Sequence, residues 1–241
     1  MEIIRANHYD DMSKKACEQV VDQVRHSDKP VLGLATGSTP EGLYGQLIDQ
    51  YHEGNVSFQH VTTCNLDEYV GLTADDPNSY RYYMNDKLFN HIDLPRENAF
   101  LPRGDAADPE QECRDYETLI QQAGQVDLQI LGLGLNGHIG FNEPGTSFDS
   151  RTHVVALDES TREANARFFP TLDDVPKRAI TMGIDTIMES KKMVLLVSGE
   201  KKAHAVNQLV NGEVTEAFPA SVLKRHPNVV LIADEGARSH L

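Results

Sequence analysis

The chain has 241 residues, enough for one large α/β domain with a real core, and its 37 acidic against 22 basic side chains leave a net charge of −15. That field repels phosphate backbones, which argues against nucleic acid as a partner, and any site for a small anion has to be a local cluster of donors. Cys17, Cys64 and Cys113 are odd in number and far apart, with no Cys-x-x-Cys or zinc spacing, so they read as reduced, buried thiols of a cytoplasmic protein.

Asp10, Asp11, Lys14 and Lys15 fill the place where a signal peptide needs an apolar run, and no stretch approaches the ~20 apolar residues of a membrane span. Neither a leader nor a membrane association is expected. No repeat or linker divides the chain, so 1–241 is expected to be a single domain.

Taken in order, Met12, Ala16, Val20 and Val24 form the apolar stripe of a helix over 9–26. Val31 to Ala35 reads as a central strand. Thr36-Gly37-Ser38-Thr39 follows, with Thr39 as N-cap and Pro40 at the first position of a helix that stops at Gly54. A strand, a Gly/Ser/Thr loop and a helix start can offer backbone N–H groups and hydroxyls to an anion, although the Gly-Lys-Ser/Thr ending of a P-loop is missing. Val61 to Leu66 reads as the next strand, delivering Asp67 and Glu68 to its carboxyl end, where ligands of open parallel sheets bind. Successive side chains on an extended backbone point to opposite faces, so only one of this pair can face a given site.

A helix is predicted over 78–90, a short strand over 97–101, and a helix capped by Asp108 with Pro109 first, ending at Gly124. Val126 to Leu131 is a buried strand, 152–157 an edge strand, and 160–169 a short helix carrying Arg162 and Arg167. A strand over 179–182, a helix over 185–190 and a strongly apolar strand over 193–197 follow. Ser198 to Lys202 then leads a helix to about Val210, which places Lys202 in the first turn, unfavourable to the helix dipole unless an anion sits nearby. The last strand is Val229 to Ile232. Apolar strands alternating with helices predict a mostly parallel sheet covered on both faces, with the strand ends after Ala35, Leu66 and Leu131, and a fourth after Val197, directed at one crevice.

Gly132 to Gly145 is the stretch richest in chemistry: five glycines in fourteen residues, with Asn136, His138, Asn142 and Glu143 between them. An imidazole with a carboxylate five residues on, held on a glycine-rich loop at a strand end, suits proton transfer. Gly132-x-Gly134-x-x-Gly137, with Asp158 about twenty residues on, formally matches a dinucleotide fingerprint, but Gly140, Pro144 and Gly145 follow at once where that motif must open a helix. His138 has no second histidine at ligating distance, so no metal is expected.

Six segments together resemble the glucosamine-6-phosphate deaminase family, in its short, non-allosteric branch. They are Leu34-Ala-Thr-Gly-Ser-Thr-Pro40, Asn65-Leu-Asp-Glu-Tyr-Val-Gly-Leu72, Gly134-Leu-Asn-Gly-His-Ile-Gly-Phe-Asn-Glu-Pro144, Ser150-Arg-Thr152, Ala166-Arg-Phe-Phe169 and Gly199-Glu-Lys-Lys-Ala203. They stand in family order over nearly the whole chain. Related sugar-phosphate isomerases and lactonases are not expected to carry both the second and the third in this form.

The resemblance implies a Rossmann-like fold with a small lid at approximately 150–180. It implies cofactor-free conversion of glucosamine 6-phosphate and water into fructose 6-phosphate and ammonia. By the same resemblance Asp67 is the base that moves the proton from sugar carbon 2 to carbon 1, His138 opens the pyranose ring, and Glu143 is its partner. Thr36, Gly37, Ser38 and Thr39 would cradle the phosphate, with Arg167 and Lys202 supplying charge. A carboxylate of ordinary pKa is already ionised at neutral pH and can accept that proton.

Asn136 stands where some members have an aspartate; an amide can orient a neighbour but cannot take a proton, so a supporting role is expected. The longer members are hexameric and allosteric. Where they carry basic activator-site residues this chain has His153 and Val155, and it ends at Leu241, so a monomer without that activation is expected. The alternatives on the same fold are a 6-phosphogluconolactonase-type hydrolase and a sugar-phosphate sensor that binds without turnover.

Overall fold

The structure is a computed structural model that describes residues 1–157, 162, 163, 166, 169 and 171–241. Its frame is a seven-stranded, all-parallel sheet in the order β1-β10-β9-β6-β2-β3-β5. In chain order the strands are β1 (Glu2–Arg5), β2 (Val31–Leu34), β3 (Thr62–Asn65), β5 (Ala99–Phe100), β6 (Leu128–Gly132), β9 (Met193–Val197) and β10 (Val229–Ala233). β2, β9 and β10 are buried along their whole length, as expected of parallel strands covered by helices. The helices are α1 (Tyr9–His26), α2 (Glu41–His52), α3 (Tyr80–Lys87), α4 (Pro109–Ala123), α5 (Ile184–Met188) and α6 (Ala203–Asn211). The core runs continuously from Met12, Val20 and Leu43 through Leu131 and Leu195 to Leu231.

The strand order places the site. From β2 the chain winds outward through β3 to β5, crosses back to β6 beside β2, and then winds the other way through β9 and β10. The turning point between β2 and β6 leaves a crevice at the carboxyl ends of both strands, where open parallel sheets bind ligands.

A second, antiparallel sheet, β4-β8-β7, grows from the same edge. It is made of β4 (Asp67–Tyr69), β8 (Arg178–Thr181) and β7 (His153–Ala156), with Asp67 opposite Thr181 and Thr181 opposite His153. It has a small core of its own around Tyr69, Phe141, Leu157 and Ala179. Leu66 joins the two sheets: its N–H donates to Leu34 O (3.0 Å) and its carbonyl accepts from Met182 N (2.7 Å).

Several sequence expectations shift. The strand expected over 61–66 divides at Leu66, because Asp67 to Tyr69 pairs with β8 rather than continuing along β2. The strand expected over 97–101 shrinks to Ala99–Phe100 after a 3-10 turn over Arg96–Asn98. Strand β1, with a charged residue at each end, was not expected, and it forms because β10 offers it an open edge. At α2, Pro40 rather than Thr39 stands at the cap, and no side chain caps the helix. Most of the helix expected over 160–169 lies outside the described residues.

Candidate active site

A cavity of about 490 Å³ opens at the crevice, lined by Ala35 to Thr39 after β2, Leu66 and Asp67 at the joint, Gly132 to Asn136, His138, Gly140 and Phe141 after β6, with Tyr80 and Lys202. All four strand ends expected at one crevice contribute. Of the residues singled out from the sequence, Thr36, Gly37, Ser38, Thr39, Asp67, Asn136, His138 and Lys202 face this one space, and Glu143 stands behind Asn136. Arg167 lies outside the described residues.

Asp67 and Glu68 part company as strand alternation requires. Glu68 turns away from the cavity and receives the backbone N–H groups of Tyr69, Tyr80 and Arg81, each at 2.9 Å, so it anchors the first turn of α3. Burial pushes its carboxyl up to about 7, against the pull of those N–H bonds. Asp67 is 7% exposed and, among the described residues, meets no hydrogen-bond donor. Burial, and after it the charge of Glu68, raise its carboxyl to about 8. The carboxylate of ordinary acidity expected from the sequence is therefore corrected: its proton affinity is raised well above the usual carboxylate range.

The loop after β6 doubles back, with Gly134 N–H on His138 O at 2.9 Å and Gly137 N–H on Gly134 O at 3.1 Å. Gly134 has to be glycine, because a Cβ there would stand 2.3 Å from His138 Nδ1. No helix follows Gly137, so the glycine spacing serves this reversal and not a dinucleotide.

The Asn136 amide sits between His138 and Glu143. Its Oδ1 lies 2.8 Å from His138 Nδ1 and 3.2 Å from the His138 backbone N, and its Nδ2 donates to Glu143 Oε2 at 2.6 Å. The direct approach of His138 Nδ1 to Glu143 Oε2 is 3.7 Å. Oδ1 only accepts, so Nδ1 carries the proton and Nε2 keeps its lone pair. The carboxylate and the backbone N–H together fix which way the amide points. Glu143, expected as the direct partner of the imidazole, is placed to act through Asn136. Burial holds the His138 pKa below the usual histidine value, with Glu143 pulling it up and Lys202 pushing it down.

Lys202 closes the 3-10 turn Glu200–Lys202 ahead of α6 and donates to Leu133 O at 2.5 Å. Burial lowers its pKa. Its neighbour Lys201 is exposed, which decides between the two lysines.

The sequence reading did not single out Tyr80 and Phe141, whose rings stack at 6.1 Å and 6° as an apolar wall beside Asp67. Tyr80 donates to Tyr69 Oη at 3.3 Å. Its only signal in the sequence is its place just after Ser79, the cap of α3. No group of three or more His, Cys, Asp or Glu side chains suited to a metal occurs among the described residues.

A buried unpartnered carboxylate, a tautomer-locked imidazole and a lysine beside a Gly/Ser/Thr loop, all at the switch point of a parallel sheet, define a site for proton transfer on a small anionic substrate. Residues 5–231 match the family of glucosamine-6-phosphate isomerases and 6-phosphogluconolactonases, and the chain belongs to that family.

Within it the likeness is to the deaminases. The chain is 59% identical to the glucosamine-6-phosphate deaminase of Shouchella clausii (strain KSM-K16) over 239 residues, 99% of this chain and 97% of that one. It matches the structure of a monomeric glucosamine-6-phosphate deaminase with a TM-score of 0.98 at 53% identity, over 100% of both chains. Its likeness to 6-phosphogluconolactonase from Thermotoga maritima is one of fold alone, with a TM-score of 0.77 at 20% identity over 97% of this chain and 99% of that one.

Proposed function

We propose that this chain converts glucosamine 6-phosphate and water into fructose 6-phosphate and ammonia, acting as a monomer in the cytoplasm. The observation that carries the reading is the position of Asp67: buried, without a donor, and in the same cavity as His138 and the Thr36–Thr39 loop. The phosphate rests on that loop with Lys202, and Arg167 adds a second charge from the segment 150–180, which serves as a lid.

His138 Nε2, the ring nitrogen free of Asn136, takes the proton of the carbon-1 hydroxyl and returns it to the ring oxygen, which opens the pyranose. Glu143, through Asn136, holds the imidazole in the tautomer this needs. The substrate ammonium entering beside Asp67 favours the ionised carboxylate and offsets the desolvation that raises its pKa. Asp67 then removes the carbon-2 proton; the electron pair forms the carbon 1–carbon 2 double bond, the carbonyl pair moves onto the carbon-1 oxygen, and that oxygen takes a proton from the ammonium, which gives a neutral enolamine. Return of that proton to carbon 1 leaves an iminium at carbon 2. Water adds there and ammonia departs, so the atoms balance without a redox partner.

An anionic activator is not part of this reading. The guanidinium of Arg151 is already held by Glu117 (2.6 Å), Asp185 (3.1 Å) and Glu189 (2.7 Å), and His153 Nδ1 lies 2.8 Å from Arg151 O. Among the described residues no helix is long and apolar enough to cross a membrane.

The test is release of ammonia and fructose 6-phosphate from glucosamine 6-phosphate by the purified protein, beside Asp67→Asn. Equal amounts of both products, with nearly all of that rate lost in the variant, uphold the reading. Binding without either product, or deuterium placed at carbon 2 of the substrate that stays there, overturns it in favour of a sensor or a lactonase-type hydrolase. Added N-acetylglucosamine 6-phosphate is expected to leave the rate unchanged.

A further inference from the structure

The loop over 35–39 is asymmetric in its hydrogen bonding. Three of its carbonyl oxygens are each taken by a tyrosine hydroxyl, and each tyrosine comes from a different helix. Tyr44 of α2 donates to Ala35 O, Tyr83 of α3 donates to Gly37 O at 2.7 Å, and Tyr9 of α1 donates to Ser38 O at 2.9 Å. Tyr9 also accepts Gly42 N–H at 2.8 Å, so its single hydroxyl hydrogen is committed to Ser38 O. By contrast, among the described residues no protein acceptor takes the N–H groups of Thr36, Gly37, Ser38 or Thr39.

In a trans peptide the C=O and the N–H of the next residue point in opposite directions, and the described chain has no cis peptide. Each hydroxyl that draws a carbonyl out of the loop therefore turns one N–H the other way: Tyr44 that of Thr36, Tyr83 that of Ser38, Tyr9 that of Thr39. Gly37 sits at φ +93° in the middle of the run, with open space where a Cβ would stand. That residue is free to rotate its flanking peptides, which is the freedom the hydroxyls remove.

We propose that Tyr9, Tyr44 and Tyr83 are positioning residues for the substrate phosphate: by holding three carbonyls away from the cavity they aim three N–H groups into it. The proposal rests on the reading of this loop as the phosphate cradle. A peptide released from its tyrosine can turn its carbonyl toward the anion, replacing an attraction with a repulsion. The loss belongs to binding, because the phosphate is unchanged between ground state and transition state.

The experiment uses Tyr83→Phe, Tyr9→Phe and Tyr44→Phe, which keep the ring, with Tyr82→Phe as control, since Tyr82 is 43% exposed on the same helix as Tyr83. Two quantities are measured: steady-state kinetics with glucosamine 6-phosphate, and the dissociation constant of inorganic phosphate by calorimetry. The expected result for Tyr83→Phe and Tyr9→Phe is a rise in both KM and that constant of roughly five- to ten-fold, with kcat within about two-fold and the control unchanged. A KM and a phosphate constant that stay within about two-fold in both variants, a fall in kcat at unchanged KM, or no phosphate binding by the unmutated protein would overturn the proposal. If the unmutated protein releases no ammonia, the deaminase reading fails separately, and the phosphate constants still decide the role of the tyrosines.

Discussion

The two walls of the cavity are built on opposite plans. On the β6 side, His138, Asn136 and Glu143 form a hydrogen-bonded relay in which the Asn136 amide accepts from His138 and donates to Glu143. On the β4 side, Asp67 is left without a donor beside the stacked rings of Tyr80 and Phe141, and its carboxyl is raised to about 8. The relay has to hold one protonation state of a weak base, which partners can fix. The proposed carbon-2 base has to be avid for a proton, which burial, a neighbouring like charge and the lack of donors give Asp67. The same residue pair carries the contrast in miniature, since Glu68 receives the three N–H bonds that Asp67 lacks.

The first way to break this comparison is to remove the unpartnered group. Asp67→Asn is expected to lower kcat by about 10³- to 10⁴-fold, at the upper end for a positioned general base, measured as ammonia release with saturating substrate. His138→Gln, which ends the relay at its business end, is expected to lower kcat by about 10²-fold.

The pH profile sharpens the contrast without a mutation. If Asp67 is the base and works ionised, its carboxyl at about 8 should make kcat/KM fall close to ten-fold per unit as pH drops below about 8. His138, held below its usual value by burial, should add no inflection between there and neutrality. A flat profile from pH 6 to 8 would sink the assignment of an elevated carboxyl.

Asn136→Ala leaves the imidazole without its tautomer lock. A loss of about ten-fold in kcat is expected, smaller than for His138 because the ring itself remains.

The smallest effect is on stability. The folded-state pKa of Asp67 is raised far above the unfolded 3.8, so the stability it contributes is full below about 3.8, declines as pH rises above that, and is lost once pH has passed through about 8. Asp67→Asn should therefore melt a few degrees higher than the parent at pH 9 and with little difference near pH 4. An equal shift at both pH values would contradict the buried, unpartnered carboxylate.

Where chemistry followed an apolar strand, the sequence was readable. Val31 to Ala35 and Val126 to Leu131 announce both the parallel sheet and the loops that end in it, and strand alternation alone separates Asp67 from Glu68. The small sheet was not readable, because Asp67 to Tyr69 is three residues long and its partner strand lies far along the chain. The order His138–Asn136–Glu143 escaped for a different reason: the residue types name donors and acceptors, but which two of three touch depends on the Gly134 reversal. The proton affinity of Asp67 depends chiefly on its burial, and the groups that bury it come from β8, α3 and the β6 loop; only the smaller push, from Glu68, comes from a sequence neighbour.

Leu66 hydrogen-bonds to one sheet through its N–H and to the other through its carbonyl, and Asp67 is the next residue. The proposed base thus belongs mechanically to the smaller layer, while the proposed phosphate loop belongs to the larger. Their separation works like the jaw width of a clamp, set by how the two layers lean on each other. A substitution in β7 or β8 that tilts the small layer would register in kinetics as a faulty base, although every side chain in the cavity had stayed the same.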